Sequence, residues 1–248
     1  MLPSKKTIGI IGGGQLGKML MEAGKPWNIK YHILDVEDAP ASSLAEKHLI
    51  GGLMDADKIK ELAQNCDVLT YEIEHIHLGA LQELEAAGKT IIPSPKILEI
   101  IQDKGLQKLF FKHHNIPTTD FELAENQTEW ADKLIKLQGD KVAAKLRKGG
   151  YDGKGVELVT KKEMLEQYNK IPFSEPVVLE EFVENAIELS VIVARNSKGE
   201  MNTFPTVEME FDPKANLVEF LFAPATISKD IDEKAKRIAM ECVFKLQG

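Results

Sequence analysis

The stretch Gly149-Gly150-Tyr151-Asp152-Gly153-Lys154-Gly155 constrains this chain more than any other. It lies between two strand-like runs, Lys141-Val142-Ala143-Ala144-Lys145-Leu146 before it and Val156-Glu157-Leu158-Val159 after it. Four glycines in seven residues let the backbone reach positive φ and aim successive N–H groups at one point. Lys145, Arg147, Lys148 and Lys154 put positive charge around that point. The chain as a whole is acidic, with 31 Lys and Arg against 39 Asp and Glu and a formal net charge of −8, so the cluster runs against its background. Fixed donors with local cations make an anion cradle, and a glycine loop between strands can close over its ligand. The competing reading is an ordinary hairpin with a Tyr-Asp-Gly turn and a solvated charged rim.

An anionic chain lacks the basic face a nucleic-acid backbone requires. No run of about 18 uncharged apolar residues occurs, so no membrane span is expected. The N-terminus runs straight into a strand pattern without the look of a signal peptide. Two cysteines, Cys66 and Cys242, lack metal-ligand spacing and read as reduced structural thiols in a cytoplasmic protein. With 248 residues and 43% hydrophobic content the chain can form one large or two modest domains.

Thr7-Ile8-Gly9-Ile10-Ile11 is apolar throughout, as a buried parallel strand is. Gly12, Gly14 and Gly17 follow in G-x-G-x-x-G spacing, then a helix with Leu16, Met19, Leu20 and Ala23 on one face. A second strand ends in Asp35, the acid a dinucleotide fingerprint asks for. A glycine turn at a helix N-terminus binds any phosphate, however, so the match speaks more for an anion than for a nicotinamide. Asp55 or Asp57 caps the next helix. Val68–Tyr71 is the third strand expected, and it runs into Glu72-Ile73-Glu74-His75 at the carboxyl edge of the sheet, where open α/β folds bind ligands. Thr90–Pro93 is the fourth, Ser94-Pro95 opens another helix, and a boundary falls near residue 100.

Beyond it, Lys104 and Lys108 sit in a helix with Leu106, Leu109, Phe110 and His113 on one face. His113 and His114 have no acid at helical spacing and read as surface or packing residues. Phe121–Leu123 is a strand, Thr128 begins a helix, and another surrounds Met164–Tyr168. Pro176–Val183 is a strand ending in acids, and Glu188–Arg195 a long strand turned by Asn196–Gly199 into Met201–Phe204. An amphipathic helix from Asp230 to Gln247 carries Ile238, Cys242 and Leu246. A β-rich antiparallel half thus follows a parallel α/β half.

Six stretches together resemble the ATP-grasp superfamily and, within it, the N5-carboxyaminoimidazole ribonucleotide synthetase family of purine biosynthesis. They are Gly12–Gly17, Tyr71–His75, Gln102-Asp103-Lys104, Lys145 with Gly149–Gly155, Glu180-Glu181-Phe182-Val183 and Glu188–Ile192. The resemblance implies a Rossmann-like parallel-sheet domain over residues 1–100 that holds substrate. It implies a two-lobed ATP-grasp domain over 101–248, with a small lobe at about 118–183. It also implies the reaction. ATP phosphorylates bicarbonate, and the carboxyphosphate or its CO2 meets the exocyclic amine of 5-aminoimidazole ribonucleotide.

By the same resemblance Lys145 contacts the α- and β-phosphates, and Gly150, Tyr151, Asp152, Gly153, Lys154, Gly155 and Val156 cover them. Glu180, Glu181, Phe182 and Val183 form the adenine linker, and Glu188 takes the ribose hydroxyls. Lys104 stands where the family often has arginine, keeping the charge without the bidentate fork. Gly14, Gln15, Leu16 and Glu72 are the substrate contacts. Tyr151 and Lys154 resemble the residues that hold bicarbonate, where a cation offsets the growing charge; with Glu72 they form the implied catalytic set. The cofactors implied are ATP and Mg2+, and the whole protein is implied to be a homodimer.

Two departures accompany the match. The family's Asn-x-His near the nucleotide is replaced by Met209-Glu210-Phe211, and Phe211 cannot donate the histidine's hydrogen bond. Family members also continue past Gly248 with Val-Glu and Asn-Glu-x-Ala-Pro-Arg segments that carry the Mg2+ carboxylates. The expectation is that these 248 residues alone turn over little or no substrate. Three other readings compete: a nicotinamide oxidoreductase using the Gly12–Gly17 turn, a formate-using ribonucleotide transformylase on the same fold, and a non-catalytic nucleotide-binding module.

Overall fold

In the computed structural model, which describes residues 6–150, 154–167, 171–212 and 217–246, the chain divides into two units, one ending at Gln102 and one beginning at Asp103. The first runs β1 (Thr7–Ile11), α1 (Gln15–Gly24), β2 (Lys30–Asp35), β3 (Lys47–Ile50), α2 (Ala56–Gln64), β4 (Val68–Tyr71), α3 (Leu78–Ala86), β5 (Thr90–Ile91) and α4 (Pro95–Gln102). All pairings are parallel, in the order β3-β2-β1-β4-β5. Ile10 lies opposite Ile33 and Ile11 opposite Leu34. The first pair packs with Met21 of α1 on one face. The second joins Leu69, Ile59, Leu62 and Leu81 on the other. Both faces are covered, which is why β1 shows an unbroken apolar run instead of alternation.

Two features of this unit depart from the sequence reading. The strand β3 was not expected, so Val68–Tyr71 is the fourth strand and Thr90–Ile91 the fifth. It is a four-residue edge strand in which only Leu49 is buried, too little apolar signal to register. The buried face of α1 is Gly17, Met21 and Gly24, whereas Leu16, Met19 and Leu20 are exposed. Small residues let the helix lie close on the strands. A β-carbon at Gly17 would come within 2.8 Å of the Gly12 carbonyl oxygen, so the large apolar side chains turn outward.

The second unit runs α5 (Lys104–His113), β6 (Phe121–Ala124), α6 (Trp130–Leu134), β7 (Lys141–Leu146), β8 (Val156–Thr160), α7 (Lys161–Glu166) and β9 (Val177–Glu181). It continues with β10 (Glu188–Ser190), β11 (Val193–Arg195), β12 (Met201–Thr203), β13 (Val207–Phe211), β14 (Val218–Phe222) and α8 (Lys229–Leu246). Strands β6-β9-β7-β8 form an antiparallel sheet. Its core face carries Val142, Ala144, Val177 and Leu179 against Trp130, Leu134 and Met164. The expected long strand Glu188–Arg195 is two strands: β10 pairs with β13, and β11 with β12. Val191, Ile192 and Val193 are β-branched and span the junction, so propensity reads straight through a break that pairing imposes. The hairpin β13–β14, with a register shift at Glu210 and Phe211, is a further pairing that the sequence does not announce. Along α5 the buried positions are Gly105 and Lys108; of the anticipated apolar face, Leu106 and Phe110 are half-buried and Leu109 and His113 exposed. His114 stacks 4.6 Å from the Phe110 ring, a packing contact.

Candidate functional site

Strand alternation builds the site in the second unit. Ala143 lies opposite Glu180 and Lys145 opposite Val178, so Lys145 and Glu180 share the sheet face away from the Trp130 core. Lys145 Nζ is 3.1 Å from Glu180 Oε1. Lys108, one turn into α5, reaches the other oxygen at 2.8 Å and also donates to the hydroxyls of Thr118 (2.6 Å) and Thr119 (2.8 Å). Thr119 in turn donates to Glu180 Oε2 at 2.9 Å. The three ammonium donors of Lys108 are thereby matched with three oxygens, and its side chain is 10% exposed against 31% for Lys145. Burial pushes the Glu180 carboxyl up, but the hydrogen bond from Lys108 and the two lysine charges outweigh it and hold the group below its ordinary value. Glu180 is therefore a fixed anion with one saturated partner and one half-exposed partner.

Lys108, Lys145 and Glu180 line a recess of about 250 Å3 together with Lys104, Gln107 and Phe111. Three lysines face one carboxylate there, an excess of positive charge suited to an anionic ligand. Lys104, the first residue of α5, has its ammonium 3.6 Å from where a β-carbon on Gly150 would stand, so the glycine loop and the recess adjoin. Gly149 and Gly155 both adopt positive φ, a conformation glycine reaches without steric cost. Lys154 is exposed in the turn leading into β8, and Val156 opens that strand. Tyr151, Asp152 and Gly153 lie outside the described residues.

Lys104, Lys145 and Glu180 are thus brought together. Glu181 and Phe182 instead line a separate recess of about 200 Å3 with Gln138, Asp140 and Lys141, where Glu181 accepts the Gln138 N–H at 2.9 Å. Val183 and Glu188 are exposed and line neither recess. Of the four cations expected around the loop, Arg147 is turned away from the recess, to Asp103 (2.9 Å) and Glu125 (2.8 Å), and Lys148 is 74% exposed. Sequence reasoning missed Lys108, Thr118 and Thr119. Their one signal was the i,i+4 spacing of Lys104 and Lys108, which puts two ammonium groups on one helix face.

In the first unit Gly14 and Glu72 meet directly at the carboxyl edge of the sheet: the Gly14 N–H donates to Glu72 Oε1 at 3.1 Å. The Gly13 N–H donates to Asp35 Oδ2 at 2.5 Å. Gln15 and Leu16 form the exposed first turn of α1 beside them. The turn's amides thus already hold two of the chain's own carboxylates, and a pyrophosphate would have to displace both. Asp35 and Glu72 instead offer acceptors to a ligand bearing hydroxyl or amine donors. Next to Glu72, burial pushes the Tyr71 phenol up to about 12.

Among the described residues no group of three or more His, Cys, Asp or Glu side chains comes together to hold a metal. Glu180, the buried carboxylate of the recess, is already engaged by two lysines, so the described residues do not fit a Mg2+ site. No described helix is long and apolar enough to cross a membrane.

Comparison with known proteins gives this geometry a family. Residues 5–102 match a ribonucleotide synthetase preATP-grasp domain, and residues 109–248 an ATP-grasp domain. The chain is 32% identical over 244 residues to N5-carboxyaminoimidazole ribonucleotide synthase of Saccharolobus solfataricus, covering 97% of this chain and 64% of that protein. It is 33% identical over 250 residues to phosphoribosylaminoimidazole carboxylase of Saccharomyces cerevisiae, covering 98% and 43%. Among solved structures, N5-carboxyaminoimidazole ribonucleotide synthetase from Thermotoga maritima superimposes with a TM-score of 0.82 at 37% identity, covering 98% of this chain and 62% of that one. The Aspergillus clavatus synthase in complex with ADP and 5-aminoimidazole ribonucleotide gives 0.85 at 29% identity, covering 97% and 63%. The chain spans about half the length of the curated relatives first matched, from 43% to 45%. A lysine-rich recess beneath a glycine hairpin, on a sheet whose sequence matches the ATP-grasp model through more than half of the chain, leads to one assignment: this chain belongs to the ATP-grasp family.

Proposed function

We propose that this chain is part of an ATP-dependent ligase that carboxylates 5-aminoimidazole ribonucleotide with bicarbonate, giving the N5-carboxyamino product, ADP and phosphate. The observation that carries the reading is Glu180 clamped between Lys108 and Lys145, beside Lys104 and the Gly149–Gly155 loop. A recess with this charge excess takes a polyphosphate, and Lys145, the half-exposed partner, is the cation free to turn from Glu180 to the α- and β-phosphates. Loop amides from Gly150 to Val156 then cover the phosphates. Glu180, Glu181, Phe182 and Val183 supply the adenine linker and Glu188 the ribose acceptor. Gly14, Gln15, Leu16 and Glu72 hold the ribonucleotide in the first unit, where carboxylate acceptors suit its hydroxyl and amine donors. Tyr151 and Lys154 hold bicarbonate, Lys154 offsetting the charge of the nascent carboxyphosphate. The small lobe corresponds to residues 118–183. Mg2+, when bound, would supply charge neutralisation for phosphoryl transfer; the described residues give it no ligand. Cytoplasmic residence and a homodimeric whole protein complete the proposal, resting on the family resemblance.

Calorimetric titration of the 248-residue chain with ATP, ADP, NADH and 5-aminoimidazole ribonucleotide tests the reading. ATP and ADP are expected to bind with dissociation constants on the order of micromolar to millimolar. Lys145→Ala is expected to weaken ATP at least about tenfold, the loss of one charge-assisted contact. Binding of NADH with no response to ATP would overturn the assignment.

A further inference from the structure

The buried carboxylate of Asp103 joins two elements through four donors. Its Oδ1 accepts the N–H groups of Gly105 (2.8 Å) and Leu106 (3.2 Å), capping α5. The same oxygen accepts Arg147 Nε at 2.9 Å, and Oδ2 accepts Arg147 Nη2 at 2.9 Å. A backbone bond runs alongside, from the Lys104 N–H to the Arg147 carbonyl at 2.9 Å. Arg147 lies at the root of the glycine loop: its own N–H donates to the Pro176 carbonyl, and the Leu146 N–H closes the hairpin on the Gly155 carbonyl at 2.8 Å. Gly105 is fitted to this arrangement, because a β-carbon there would come within 2.6 Å of Arg147 Nε. An uncapped helix start needs only a carboxylate. The bidentate guanidinium, the glycine that admits it and the parallel backbone bond do something further: they fix α5 to the end of β7.

The two elements so joined carry the lysines of the recess, Lys104 and Lys108 on α5 and Lys145 on β7. Like charges repel, and while Glu180 holds Lys108 and Lys145, the long flexible side chain of Lys104 does not by itself set its distance from them. We propose that Asp103 and Arg147 are positioning residues that hold Lys104, and with it the root of the glycine loop, in register with Lys145 for a polyphosphate ligand. The inference rests on the nucleotide reading given above. Neither residue need touch the ligand; both act through Lys104.

A double-mutant cycle on the full chain tests it. ATP dissociation constants are measured for the wild type, Arg147→Lys, Gly105→Ala, Lys104→Met, and each of the first two variants combined with Lys104→Met. Arg147→Lys keeps the charge without the fork, and Gly105→Ala puts a β-carbon 2.6 Å from Arg147 Nε and 3.0 Å from the capping oxygen of Asp103, so it disturbs the clamp from the helix side. Thermal midpoints without ligand establish that the variants are folded, and either variant suffices if the other is not. Each single substitution is expected to weaken ATP about tenfold, and each double no more than Lys104→Met alone, since a displaced clamp has nothing left to position. Losses that multiply in the doubles, or full ATP affinity in both clamp variants, would overturn the positioning role while leaving the nucleotide reading intact. A wild type that does not bind ATP would overturn that reading, and the clamp with it.

Discussion

Glu180 shows how one side chain sets the character of the site. Buried alone it would be protonated or would destabilise the fold, since an uncompensated buried charge is costly. Lys108 and Lys145 reverse this and hold its carboxyl below the ordinary value of 4.5. A carboxyl depressed in the folded state contributes stability that is present above its unfolded value and is lost as pH falls through the folded one. The acid limb of the stability curve, below about pH 4.5, should therefore be steeper in the wild type than in Glu180→Gln. Urea unfolding between pH 3 and 7 reads this directly, and parallel limbs would refute it. Lys108→Met should cost about 2 to 4 kcal/mol near neutral pH, because it strips Glu180 of its better-buried partner and leaves the Thr118 and Thr119 hydroxyls without their donor. The asymmetry between the lysines matters for function. Lys108 is committed to three oxygens, whereas Lys145, which the structure leaves half-exposed, can exchange Glu180 for a phosphate.

At the level of helices and strands, legibility followed the kind of signal. The glycine turn after β1 and the hairpin β7–β8 could be read directly, because glycine clusters between apolar runs have few alternative explanations. The strands β1 and β9 could be read because burial on both faces leaves a continuous apolar run. The edge strand β3 was not legible, as Leu49 alone faces the core. The break between β10 and β11 was not legible either, because partners chosen in three dimensions leave no local trace. The face of α1 was misread for a more specific reason: a periodicity scan rewards large apolar residues, and this helix packs through its glycines. That inversion makes a prediction. In an ordinary helix interior Gly→Ala gains up to about 1 kcal/mol, but Gly17→Ala should lose about 1 to 3 kcal/mol, since the new carbon meets backbone that cannot yield. Met19→Gln, on the face that looked like the core, should stay within about 0.5 kcal/mol of the wild type. Chemical denaturation of the two variants decides it, and the reverse ranking would restore the apolar stripe as the buried face. At the site the same logic applied. The glycine loop and Lys145 announced themselves, while Lys108 did not and Arg147 was read as a cation of the loop when it pairs with Asp103, since a lysine or arginine reads alike whether it faces solvent or a buried acid.

Each of the two units owns its core. Ile10, Ile33 and Met21 on one sheet face, with Ile11, Leu34 and Leu69 on the other, belong to the first; Trp130, Val142, Val177 and Leu179 belong to the second. The cation recess is built wholly from residues of the second unit, and the carboxylate-lined turn wholly from the first. A ligand that binds only the folded form of one unit stabilises that unit by mass action, about 2.7 kcal/mol at a hundredfold excess over the dissociation constant. ATP should therefore raise the protection of amides around Val142 and Leu179 against hydrogen exchange and leave those around Ile10 and Leu69 unchanged. A ribonucleotide substrate should do the opposite. On heating, the same selectivity appears as one transition moving upward by several degrees while the other stays in place. Equal protection of Ile10 and Leu179 by ATP would contradict the division of labour, because nucleotide binding confined to the recess stabilises its own core first. The test also distinguishes the two glycine sites: ATP seated on the Gly12–Gly17 turn would protect Ile10 and Ile33, and would have to expel Asp35 and Glu72 from the amides they occupy.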